Sequence, residues 1–132
     1  MGVCAFVASG SNFRVDECLK GSPLSPYRVF RRGEVPAKES TPRPDSGFAL
    51  LVSQDESQDL TNQAKDAVLF LVKHEKELER LRKFGADILL FDFGVAAVRQ
   101  LQHSVYLPPE LILGMGRFKM SIMFSVVDIP RG

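Results

Sequence analysis

The segment from about Gln58 to Phe84 constrains the fold more than any other. Ala64, Ala67, Leu71, His74, Leu78 and Leu81 recur at spacings of three and four, and Gly85 follows as a terminator. Such a pattern demands a long helix with one buried stripe, with Ser57 or Asp59 able to cap its start. Its first half (AVLFLV) is apolar almost all round and belongs against a core. Its second half (KHEKELERLRK) is charged except for Leu78 and Leu81 and belongs at the surface. The change of character predicts a bend near His74 and Glu75. A coiled coil is the rival reading, but it would put His74 on the seam.

A helix of this kind needs a sheet or other helices to cover, and the flanking segments supply strands. Val3–Ser9 is short, apolar and ended by Gly10-Ser11-Asn12. Phe13–Lys20 reads as a short helix closed by Gly21, burying Phe13, Cys18 and Leu19. Tyr27–Arg32 alternates, with Tyr27, Val29 and Arg31 on one face and Arg28, Phe30 and Arg32 on the other. Gly33–Gly47 is loop-like, with three prolines, and Phe48–Ser53 restores a strand that pairs antiparallel with the preceding one.

Ala86–Phe93 is a strand apolar on both faces, and Gly94–Ser104 reads as a connector. Val105–Leu107 could add a short strand, and Pro108-Pro109-Glu110 opens a helix through Met115. Lys119–Ile129 closes the chain as a strand. Met120, Ile122, Phe124 and Val126 lie on one of its faces, with Ser121, Met123, Ser125 and Val127 on the other. The expected fold is one α+β domain: a two-layer sandwich of about five mixed or antiparallel strands, helices on one face, related to ferredoxin-like arrangements.

Composition narrows function mainly by exclusion. The chain of 132 residues is 45% hydrophobic and 25% charged, as one globular domain should be. Seventeen basic against sixteen acidic side chains give no global attraction to nucleic acid or to an anionic membrane. Val3–Ala8 is too short for a secretory core, and no apolar run approaches the length of about 20 residues that spans a bilayer. The cytoplasm is the default location. Cys4 and Cys18 are too few for a disulfide scaffold and read as buried free thiols.

No pattern carries recognisable chemistry. His74 and His103 lack neighbours at metal-ligand spacing, and neither cysteine has a flanking nucleophile motif. Gly114-Met115-Gly116 reads as a helix stop and not a phosphate loop. Asp87 and Asp92 would lie roughly 17 Å apart on opposite faces of an extended strand, too far to act as an acid–base pair. No cofactor is expected, and the chain leans away from being an enzyme.

The local charge asymmetry is Arg28, Arg31, Arg32, Lys38 and Arg43 against Glu34, Glu39 and Asp45. Tyr27, Arg28, Arg31 and Arg32 could orient a small anion between this strand and the Gly33–Gly47 loop. A solvated edge strand blunted by charge is the plainer reading. The two strands with apolar residues on both faces raise a different expectation. One helical layer covers one face, so Leu89, Phe91, Ser121, Met123 and Val127 are candidates for an interface with a second copy or another protein.

Four segments together resemble a bacterial family known as domain of unknown function 4279. They are SPYRVFRRGE (Ser25–Glu34), SGFALLVS (Ser46–Ser53), QDL opening the long helix, and LPPELILGMGRFKMSIMFSV near the end. The resemblance spans nearly the whole chain, although members place Trp where this sequence has Phe48. It implies no settled activity and no catalytic residues. Some members are similar to immunity proteins of toxin systems, and small orphans of this kind travel in mobile gene cassettes.

Overall fold

A computed structural model describes residues 3–37, 41–53, 60–98 and 105–129. The elements are β1 (Cys4–Gly10), α1 (Val15–Lys20), β2 (Arg28–Phe30), β3 (Ser46–Leu51), α2 (Leu60–Lys73), α3 (Glu75–Lys83), β4 (Ile88–Val98), α4 (Pro109–Arg117) and β5 (Ser121–Ile129). They build one five-stranded sheet in the order β2-β3-β1-β4-β5. The first four strands are antiparallel to their neighbours, and β5 runs parallel to β4. β1, α1, β2, β3, the α2–α3 pair and β4 thus interleave as two split β-α-β units, the ferredoxin-like arrangement expected from the sequence. β5 is an addition at one edge, reached through α4.

Strand parity separates a covered face from an open one. Cys4, Phe6 and Ala8 of β1, Phe48 and Leu50 of β3, and Leu89, Phe91 and Phe93 of β4 share the covered face. The helices bury Phe13, Val15, Cys18, Ala67, Phe70, Leu71, Leu78 and Leu81 against them. Phe91 is held edge-on to Phe6 and Phe70, with ring centroids 6.0 Å from each. Leu89 and Phe91 are therefore core residues, and their assignment to an interface is wrong. The register pairs Phe91 with Ile122 and Asp92 with Met123, so β4 presents Ile88, Leu90 and Asp92 to the open face.

The long helix breaks where its character changes. His74 separates α2 from α3 with φ −111° and ψ 24°. Hydrogen bonds from His74 N–H to Phe70 O and from Leu78 N–H to His74 O, both 2.9 Å, carry the chain through the bend. The candidate caps Ser57 and Asp59 lie outside the described residues. α3 is not the wholly solvated helix its charges suggest. Glu77 is buried and accepts a 2.9 Å bond from Arg80, whose Nη1 also donates to Cys18 O at 2.7 Å, tying α1 to α3.

Three other expectations change. β4 does not end at Phe93 but runs to Val98, because Gly94–Val98 finds a partner in Ser125–Ile129. Val105–Leu107 forms no strand. Gly114 and Gly116 lie inside α4, which ends at Phe118 instead. Gly114 serves packing, since a Cβ there would stand 2.8 Å from Leu71 Cδ1 of α2.

Arg82 fixes the corner from which β4 and β5 depart. Its guanidinium donates to Ala86 O at 3.3 Å and to Asp87 O beside it. It also donates to Phe118 O at 2.8 Å and Lys119 O at 2.9 Å. One side chain thus satisfies carbonyls of the α3–β4 and α4–β5 turns together.

Candidate functional site

Two surfaces stand out, at opposite edges of the sheet. The first is β5. Its covered-face residues Ile122, Phe124 and Val126 are 40%, 37% and 58% exposed, and its open-face residues Met123 and Val127 are 49% and 52% exposed. Ser121 joins Met123 and Val127 on the open face, as the alternation in the sequence required. Ser125 Oγ donates to Asp92 Oδ1 at 2.7 Å, closing the polar gap between β5 and β4 on that face.

Among the described residues, β5 is also an edge strand without the usual protection. Ser121–Ile129 contains no Lys, Arg or Pro, and Asp128 is its one charged residue. The opposite edge, β2, has three residues and carries Arg28. β4 and β5 also outrun the rest of the sheet. Gly94 N–H still bonds Val3 O at 3.0 Å, but beyond it, among the described residues, β4 pairs with β5 alone. A two-stranded ribbon has little stability by itself, so this extension gains from any partner that packs on it.

The second surface is a cleft of about 420 Å³ at β2, lined by Arg28, Val29, Phe30, Glu34, Val35, Pro36 and Arg43. Phe30 sits over Gly47 of β3, where a Cβ would come within 2.6 Å of its ring. The guanidinium carbons of Arg28 and Arg43 lie 5.4 and 5.2 Å from the centroid of that ring. Arg43 is fixed at its backbone: its N–H donates to Glu34 O at 2.8 Å, and Gly33 N–H donates to its carbonyl at 2.9 Å.

The four residues singled out in the basic strand do not act together. Arg28 faces the cleft. Arg31 is engaged elsewhere, donating to both carboxylate oxygens of Asp16 at 2.8 and 3.0 Å and lying 3.7 Å from Glu34. That pairing holds the Asp16 carboxyl below its usual range, chiefly through the hydrogen bond. Arg32 donates to Ser11 O at 3.2 Å, and Tyr27 is exposed outside the cleft lining. Arg43 completes the cluster. Its place in a proline-rich loop hid its proximity to Phe30, and the only sequence signal was its membership of the basic run.

Catalytic chemistry gains no support. Cys4 and Cys18 are free and fully buried. Burial pushes both thiols up, and Asp92 and Asp66 raise Cys4 further, whereas Arg80 opposes the rise at Cys18. Neither has the lowered pKa of a reactive thiol. His74 packs against Phe70 with the rings tilted by 51° and their centroids 4.7 Å apart, and burial, then Lys73, holds its imidazole below its usual range. His103 lies outside the described residues. Among the described residues no three His, Cys, Asp or Glu side chains gather as metal ligands, and no helix is long and apolar enough to cross a membrane.

No family model matches the chain, and no curated protein or solved structure matches it either. The family resemblance therefore stands on its sequence motifs alone.

Proposed function

We propose that this protein is a non-enzymatic binding module that works by strand addition at β5, and that the added strand is β5 of a second copy. The observation that carries this reading is the unprotected β5 edge, apolar on both faces, set against a short and charged β2 edge. Pairing of β5 with β2 of another copy would be heterologous and would propagate into fibres. The three-residue β2 disfavours it. Pairing of β5 with itself closes after two copies and extends the sheet to ten strands.

Symmetry then fixes the contacts. Two copies of β5 related by a two-fold axis run antiparallel, and residues that pair across them lie on the same face. Ile122, Phe124 and Val126 of one copy meet the same set of the other, and Met123 and Val127 meet their own open-face counterparts. Burying the exposed remainder of each side chain contributes on the order of 1 kcal/mol. Ten such side chains across the pair give roughly 10 kcal/mol, against an association cost of about 4–15 kcal/mol. Apolar burial alone makes a weak dimer, and the edge hydrogen bonds supply the remainder.

Light scattering across about 1–100 µM tests the proposal, the range in which an interface of this size dissociates. The wild type should show a dimer mass that falls on dilution. Val127→Lys, at an exposed position on the edge strand, should be monomeric throughout. Ile112→Lys, equally exposed on α4, should dimerise like the wild type. A wild-type monomer at every concentration would sink the self-association. In that case a foreign strand, such as that of a toxin in an immunity-type system, would be the occupant left to test at this edge.

A further inference from the structure

We propose that the cleft between β2, Glu34–Pro36 and Arg43 binds a small organic acid by its oxyanion headgroup, carboxylate or phosphate, through Arg28 and Arg43. The charges in the cleft are only partly answered. Glu34 lines it, but its Oε1 accepts the Arg31 N–H at 2.7 Å and its Oε2 lies 3.7 Å from the Arg31 guanidinium. Arg31 is itself matched by Asp16. Among the described residues, Arg28 and Arg43 have no carboxylate within ion-pair distance. Both contact the Phe30 ring.

Both guanidinium groups line the cleft, and an anion bound there accepts charge-assisted hydrogen bonds while offsetting the positive charge they bring together. The site is prepared for this role. Backbone bonds fix Arg43, Gly47 leaves room for Phe30, and the stacking limits where both guanidinium groups can point. Val35 and Pro36 give the cleft an apolar side, which suits a ligand with a short carbon skeleton better than a bare inorganic ion. A cleft of about 420 Å³ accepts a metabolite-sized acid.

The experiment is an NMR titration of the whole chain with inorganic phosphate, phenyl phosphate and butyrate, at constant ionic strength to remove general screening. The arginine Nε–H resonances report binding residue by residue. Saturable shifts at Arg28 and Arg43, with a dissociation constant of about 1 mM or tighter for phenyl phosphate or butyrate, are expected. Whichever of the two binds more tightly identifies the headgroup. Arg43→Gln and Arg28→Gln should each weaken binding by about 10-fold or more, as loss of a charge-assisted bond requires. Arg32→Gln, next to the cleft but outside it, should change nothing. Linear shifts that never saturate, a weaker constant for both organic acids, or an equal loss in Arg32→Gln would overturn the assignment. Arg28 is exposed and Arg43 only partly buried, so thermal denaturation of each variant should match the wild type and exclude misfolding as the cause.

Discussion

Removing the Arg82 guanidinium should detach the corner from which β4 and β5 start. Arg82→Met keeps most of the aliphatic stem and deletes bonds to four carbonyls on two turns. The bonds to Ala86 O and Phe118 O are partly buried, and those to Asp87 O and Lys119 O are exposed. A bond to a charged donor contributes about 1.5–3 kcal/mol where water is excluded, and much less where water can replace it. Counting the two partly buried acceptors near the low end gives a loss of about 2–3 kcal/mol. That is a large share of the roughly 5–15 kcal/mol that holds a domain together. In urea the midpoint should fall by about 1–2 M with an unchanged slope. Arg82→Lys should recover less than half, because one ammonium cannot span both turns. A midpoint within about 0.3 M of the wild type for Arg82→Met would refute the clamp.

Two further perturbations probe the core and the helix bend. The His74 pKa is depressed in the folded state, so the unfolded chain takes up its proton first as the pH falls through about 6.5. Stability should therefore be full above that pH and decline below it toward the lower folded value. The slope should not exceed about 1.4 kcal/mol per pH unit, and His74→Gln should remove this part of it in urea titrations between pH 7 and pH 5. Gln63 is buried; its Nε2 donates to Gly94 O at 2.9 Å, and its Oε1 has no partner among the described residues. Gln63→Glu should destabilise the fold by about 3 kcal/mol or more at pH 7 by placing a carboxylate against that carbonyl. Stability should return in acid, where the protonated side chain can donate, and calorimetry across pH would show a flat loss if this account fails.

Local patterns in the sequence predicted much of the fold and little of the site. The three-and-four spacing of Ala64, Ala67, Leu71, Leu78 and Leu81 marked the buried stripe, and the shift to KHEKELERLRK marked the bend at His74. Alternation in β5 placed Met123 and Val127 on one face correctly. The same logic failed for Leu89 and Phe91, because a strand apolar on both sides does not reveal which parity the helices cover; the pairing with β1 and β5 decides it. Gly94–Val98 read as a connector because small residues carry a weak strand signal, and its partner lies across a crossover. The basic run suggests Arg31 as a ligand residue, but its partner, Asp16, sits in another element. Arg43 does not stand out in the sequence, because only folding brings it to Phe30. Contacts distant in sequence were the common blind spot.

The most direct test of strand addition at β5 is amide hydrogen exchange along Ser121–Ile129 as a function of protein concentration. Among the described residues, every second amide there points away from β4 and faces no other strand. The account predicts that these alternate amides are protected at high concentration and lose protection together on dilution, while those facing β4 stay protected throughout. If the outward amides exchange freely at every concentration, β5 is not the self-association edge.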